Sequence, residues 1–266
     1  MTNKGALRAI KLLDEIGMDE ITDIPMDIFV SALGATLIKE PLERCDGKII
    51  RGNKKTLIKI NSNIPYEERI RFSIAHEIGH FLLHDKLEVH NETHNTLTWF
   101  KDAEQQAKMG IQELEANEFA SELLMPKKIF LKECEREPFS PQLLDRMSKR
   151  FKTSITSIVY RYCKINNLHP ILVSSIRNGK IEYYCKSEDF TYWVKDLKGL
   201  SPPDDSVARE YIDANYEFIY KGVDKQQDIT KSTWIKMQYN DVDSLFFEYC
   251  IPTKQYKTLL SIVWEK

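Results

Sequence analysis

The feature that most constrains this chain is the run His76-Glu77-Ile78-Gly79-His80, set in RIRFSIAHEIGHFLLH. Ile74, Ala75, Ile78, Phe81 and Leu82 supply an apolar face and Pro65 stands before the segment, so the pattern predicts a helix from about Tyr66 to His84. A helix buried on that face takes His and Glu inward with it, and buried polar groups without partners are costly. Residues four apart share a helix face, so His76 and His80 can reach one zinc ion. Glu77 then sits beside the water that such an ion activates, as the candidate catalytic base. Five of the six histidines lie between positions 76 and 94, and histidine is the commonest metal ligand.

Composition frames the rest. With 266 residues, 42% hydrophobic and 29% charged, the chain has the balance of a globular protein and the length of one large domain or two ordinary ones. A formal net charge of -2 excludes an overall basic coat for nucleic acid. Cys45, Cys134, Cys163, Cys185 and Cys250 are scattered without a CxxC pair, which points to a reducing compartment and not to a disulfide framework. The first residues carry charges throughout, and no window approaches the ~18 apolar residues of a membrane span. A cytoplasmic protein is expected.

Along the chain, apolar spacing predicts a helix over 4–16 and a short one from Pro25 to Gly34. ATLIK, KIIR and TLIKIN (56–61) read as three short strands. The stretch 86–100 is polar and irregular, 103–125 is again helical with Pro126 as its end, and 141–165 reads as two short helices. Past Asn166-Asn167 and His169-Pro170 the character changes: a hairpin is expected around Asn178-Gly179, and two more strands close the chain. The expected class is α+β, with a metal-binding core over 1–135, a helical pair over 136–165 and a C-terminal α+β domain over 166–266.

An H-E-x-x-H arises by chance in roughly one chain in a hundred of this size, so it needs a third ligand. A following x-x-G-x-x-H fails, because Leu83 and Lys86 occupy its positions. His84, on the same helix, drifts about 80° off the metal face. A later acidic segment remains, Glu113-Leu114-Glu115-Ala116-Asn117-Glu118-Phe119-Ala120-Ser121-Glu122-Leu123-Leu124-Met125-Pro126.

AHEIGHFLLH followed by ELEANEFASELLMP resembles the ImmA/IrrE family of bacterial and phage metallopeptidases, over roughly residues 20–135. The resemblance implies a zincin-like metallopeptidase core holding Zn2+, with Mn2+ or Fe2+ able to use the same ligands. It implies an endopeptidase that cleaves a helix-turn-helix repressor and so switches on a mobile element or a stress regulon. The related zincin pattern E-x-x-x-D/N makes Glu113 the third ligand and Asn117 the residue that accepts a hydrogen bond from a ligand histidine. Glu115 and Glu118, about 200° and 140° round the helix from Glu113, stay as alternatives.

Plainer roles suit other residues. His84 reads as a helix C-terminal histidine favoured by the dipole, His90 and His94 as solvated loop residues, and Glu122 as part of a solvated face. Arg146, Lys149, Arg150, Lys152, Arg161 and Lys164 surround the helical pair, which resembles a helix-turn-helix. A pair packed on the core is favoured over DNA contact. Strand 56–61 is expected to be an edge strand that pairs with extended substrate. Tyr183, Tyr184, Phe190, Trp193 and Trp234 either fill a core or line a ligand pocket. The competing functional readings are a non-catalytic regulator that binds a repressor or DNA, and a zinc hydrolase of non-peptide substrates.

Overall fold

The computed structural model describes residues 4–43, 45–52, 55–85, 110–222 and 225–266. It divides into two units: one holds the described residues up to Arg136 together with Arg146–Ile158, the other Glu137–Asp145 with Val159–Lys266.

The first unit begins with α1 (Lys4–Glu15) and α2 (Met26–Ala32), followed by β1 (Ala35–Glu40), β2 (Gly47–Arg51) and β3 (Thr56–Asn61). Pro25 stands immediately before α2, and Gly34 ends the segment at φ +83°, a conformation that only glycine adopts without strain. The long helix α3 (Glu67–Leu83), then α4 (Ile111–Leu124) and α5 (Lys127–Cys134), complete the core. Every residue of α3 from Phe72 to His80 is buried. The helix is therefore enclosed on all sides, and not only on its apolar face. The described part of α4 starts at Ile111, and the expected loop with His90 and His94 lies outside the described residues.

The sheet order is β1-β3-β2, with β1 parallel and β2 antiparallel to β3. This corrects the expectation for TLIKIN: β3 is the central strand, bonded on both sides, with Ile58 and Ile60 fully buried. It has no open ladder for a substrate. The parallel β1–β3 pairing joins segments about twenty residues apart in sequence, a choice that local alternation does not encode. Among the described residues, the edges of this sheet are β1 and β2.

Close backbone approaches set the helix packing. A Cβ on Gly5 of α1 would lie 2.0 Å from the carbonyl oxygen of Glu115 on α4. One on Gly79 of α3 would lie 3.0 Å from Ala116 Cα. The Gly5 contact turns α1 so that Ala9, Leu12 and Leu13 are buried while Ile10 and Ile16 face out. Glu122 is also corrected: it is buried, and its Oε1 accepts from the Lys127 N–H at 3.0 Å, capping the start of α5 where Pro126 breaks the chain direction.

Helices α6 (Pro141–Phe151) and α7 (Ile155–Cys163) are the expected pair, and the division between the units runs through both. Ser154 caps α7 by accepting from the Ser157 N–H at 3.1 Å.

The second unit is a five-stranded antiparallel sheet of β4 (Leu172–Arg177), β5 (Lys180–Lys186), β6 (Gln226–Thr230), β7 (Leu245–Thr253) and β8 (Thr258–Glu265), in the order β5-β4-β8-β7-β6. The hairpin turns at Asn178 (φ 49°) and Gly179 (φ 75°), the double left-handed pair that matches strand twist. Helices α8 (Val207–Asp213) and α9 (Lys231–Trp234) complete the unit. Tyr183, Phe190 and Trp234 are buried and Tyr184 packs on the core, whereas Trp193 is 70% exposed.

Glu248 of β7 is fully buried at the centre of this unit. It accepts from the N–H groups of Val207 and Ala208 (2.9 and 3.1 Å), from Trp234 Nε1 (3.2 Å) and from Ser261 Oγ (2.7 Å). Burial raises its pKa, and these donors pull against that rise. One carboxylate thus joins β7, β8, α8 and α9. Glu248→Gln places an NH2 among N–H donors, and the cost is expected to be about 2–3 kcal/mol. Equilibrium urea denaturation of the full chain checks this; an unchanged midpoint would rule out the brace.

Candidate metal centre

Helix α3 presents His76 and His80 one turn apart, and both are buried. The Gly79–Ala116 crossing brings α4 close enough for Glu113 to reach both imidazoles. Glu113 Oε2 lies 3.1 Å from His76 Nε2, and Oε1 lies 3.1 Å from His80 Nε2. The two Nε2 atoms are 2.9 Å apart. Tetrahedral donors about 2.0–2.1 Å from a zinc ion stand roughly 3.3 Å from one another, so this spacing is close to that of a formed site. Among the described residues, His76, His80 and Glu113 are the group whose ligand atoms converge within 4.8 Å. Glu115 and Glu118 are not in it.

The outer hydrogen bonds fix the sense of the rings. His76 Nδ1 is 2.9 Å from Asn117 Oδ1, so the ring donates there and turns the Nε2 lone pair inward. His80 Nδ1 is 3.0 Å from His84 Nδ1, which turns its Nε2 inward in the same way. Two lone pairs and a carboxylate converging at about 3 Å repel one another unless a cation lies among them. Two imidazoles, one carboxylate and room for a fourth donor are the set that suits a catalytic divalent ion. The residues present therefore fit a metal.

The titration directions reflect the same crowding. Burial alone would lower His76, but the hydrogen bond and charge of Glu113 outweigh it and the net shift is upward. His80 is lowered, by burial first and by the neighbouring His76 charge, with Glu113 opposing. Glu77 is 4% exposed. Burial pushes its carboxyl up to about 7, with His76 opposing and Glu113 adding.

Three further residues pack around this cluster, and the sequence pattern gives none of them a place in it. The sequence pattern makes His84 a helix-end histidine, yet it is buried against His80 and its Nε2 lies 2.9 Å from Glu115 Oε2. Its signal is its place as third member of a histidine series at four-residue spacing, after His76 and His80. Gly47 starts β2 against Glu77: a Cβ there would lie 2.8 Å from Glu77 Oε1. Arg51, at the other end of β2, donates from Nη2 to the carbonyl oxygens of His80 (3.0 Å), Phe81 (3.0 Å) and His84 (2.7 Å), closing the C-terminus of α3. Its position gave no signal.

Three of the six basic residues named around the helical pair have acidic partners within the first unit. Arg146 donates to Glu133 (2.7 Å), Arg150 to Glu20 (2.6 Å) and Lys152 to Asp23 (2.8 Å). That leaves less positive charge for DNA phosphates than the sequence pattern suggests. Among the described residues, no helix is long and apolar enough to cross a membrane.

The family model described as Peptidase_M78, IrrE N-terminal-like domain, matches residues 30–162. No curated protein matches the chain. A solved "Mycobacterium tuberculosis transcriptional regulator" aligns with a TM-score of 0.60 at 12% identity, over 98% of this chain and 76% of that one, which indicates a shared fold.

Glu113→Gln replaces a charged donor by a neutral amide. Elemental analysis is expected to find about one equivalent of zinc in the wild type and a sharply reduced content in the variant. Equal zinc in both would remove Glu113 from the ligand set.

Proposed function

The chain belongs to the Peptidase_M78 (IrrE N-terminal-like) family, matched over residues 30–162, and on that premise we propose that it is a cytoplasmic zinc-dependent endopeptidase acting on a helix-turn-helix repressor. The observation that carries the reading is the convergence of His76, His80 and Glu113 within 3.1 Å, with the buried Glu77 in the same helical turn. The likeness to a protein named a transcriptional regulator fits a role in gene control. A divalent ion bound there supplies Lewis-acid polarisation of the scissile carbonyl and lowers the pKa of an attacking water.

This chain's residues do the rest. His76 and His80 hold their Nε2 lone pairs inward, and Asn117 keeps the proton of His76 on Nδ1. Glu77 takes a proton from the attacking water on a carboxylate oxygen and passes it to the departing amide nitrogen. Burial raises its carboxyl, and a cation bound beside it would pull it back down. Strand β2 takes over the role expected of β3: it is an edge strand, and Gly47 brings its start against Glu77. An extended substrate segment pairing along the outer side of β2 would carry a peptide bond toward the base.

Glu77→Gln keeps the ligand set and removes the base. It is expected to retain zinc and to lower cleavage of the repressor at least about 100-fold. Gel analysis of the repressor with each protein checks this. Full cleavage by the variant would sink the mechanism. A repressor released from DNA with its chain intact, equally by wild type and variant, would instead favour a regulator acting by binding alone.

A further inference from the structure

The two candidate ligand histidines are held from behind by different chemistry. Behind His76 stands the neutral amide of Asn117. Behind His80 stands a chain of three groups: His84 Nδ1 at 3.0 Å, then Glu115 Oε2 at 2.9 Å from His84 Nε2, then Lys4 Nζ at 3.1 Å from the same oxygen. We infer that His84 is a positioning residue, the inner member of a Lys4–Glu115–His84 relay that holds His80 in its metal-binding tautomer. The inference rests on the zinc-centre reading above.

The proton sense is consistent along the whole chain. A metal takes the lone pair of His80 Nε2, so the ring proton sits on Nδ1 and is donated to His84 Nδ1. His84 must then carry its own proton on Nε2, which it donates to the Glu115 carboxylate. The ammonium of Lys4 secures that carboxylate. Moving the His80 proton to Nε2 would both break this chain and aim an N–H at the metal position.

Four separate elements make the geometry. The backbone leaves α3 at His84 (φ −127°, ψ 106°). That departure, and not helical phase, swings the imidazole back under His80. Arg51 of β2 fixes the turn through the His84 carbonyl at 2.7 Å. α4 supplies Glu115, and Gly5 lets α1 approach closely enough for Lys4 to reach it. A helix-end histidine serving only the dipole would face solvent, whereas the His84 side chain is 3% exposed.

The test is zinc affinity of the full chain, by competition with a chromophoric chelator at fixed pH. His84→Ala is expected to weaken binding about 10–100-fold, the usual loss when the partner of a ligand histidine is removed. His84→Gln, whose amide oxygen can accept from His80 Nδ1 as Asn117 does from His76, is expected to restore most of it. Glu115→Gln, at a partly exposed position that does not threaten folding, is expected to give a smaller loss in the same direction. The visible absorption of the cobalt-loaded protein is expected to change in His84→Ala while the melting temperature without metal does not. Wild-type affinity in both His84→Ala and Glu115→Gln would overturn the relay and leave the zinc centre standing. So would equal losses in the Ala and Gln variants accompanied by a lowered metal-free melting temperature. Absence of saturable zinc binding by the wild type would overturn the centre itself and the relay with it.

Discussion

The close crossing of α3 and α4 is the constraint on which the candidate centre depends. Gly79 stands between the two histidines of α3, and Ala116 stands between Glu113 and Asn117 on α4. With a side chain at either residue larger than the one present, the main chains could not approach to the distance at which a Cβ on Gly79 would sit 3.0 Å from Ala116 Cα. A glutamate side chain is short, so Glu113 bridges both Nε2 atoms only because the helices nearly touch. Apolar burial along both helices, with Ile78, Phe119, Ala120 and Leu123 fully enclosed, holds them there.

Around that crossing, α4 uses alternate residues for different tasks. Glu113 faces both candidate ligands, Asn117 sits one turn on and meets His76, and Glu115 points elsewhere, toward His84 and α1. Strand β2 closes the other side of α3. It is fixed just before its start by the Asp46–Arg69 pair at 2.6 Å, at its first residue by the close approach of Gly47 to Glu77, and at its end by Arg51 on the helix carbonyls. Burial raises Asp46 even as Arg69 pulls its pKa down, which marks this pair as partly withdrawn from water. Glu77 is thus enclosed by helix and strand together.

Much of this was legible in the sequence because the signals were local. The i,i+4 spacing of His76 and His80, and of Glu113 and Asn117, is a property of any α-helix, so their shared faces follow from the helix prediction alone. Asn178-Gly179 encodes its own turn. What escaped reading depended on relations between elements. His84 meets His80 because the chain leaves the helix at that residue, whereas helical phase sends the ring away. The central place of β3 follows from a parallel pairing with β1 that no local pattern expresses. Arg146 and Arg150 of α6, and Lys152 just after it, looked available for phosphate until folding placed Glu133, Glu20 and Asp23 beside them. Glu122 looked solvated until the turn at Pro126 brought an N–H to it.

The helix crossing has a consequence for ion choice. Where long side chains set the spacing of a metal site, rotamer changes let it widen for a larger guest. Here two main chains meet through a glycine and an alanine, and one carboxylate spans both rings, so the cage has a ceiling as well as a floor. Calcium takes six to eight oxygens at about 2.3–2.6 Å, and this cage can give it neither the number nor the radius. An ion bound there would therefore be selected by size against calcium, and by the nitrogen character of its donors against magnesium.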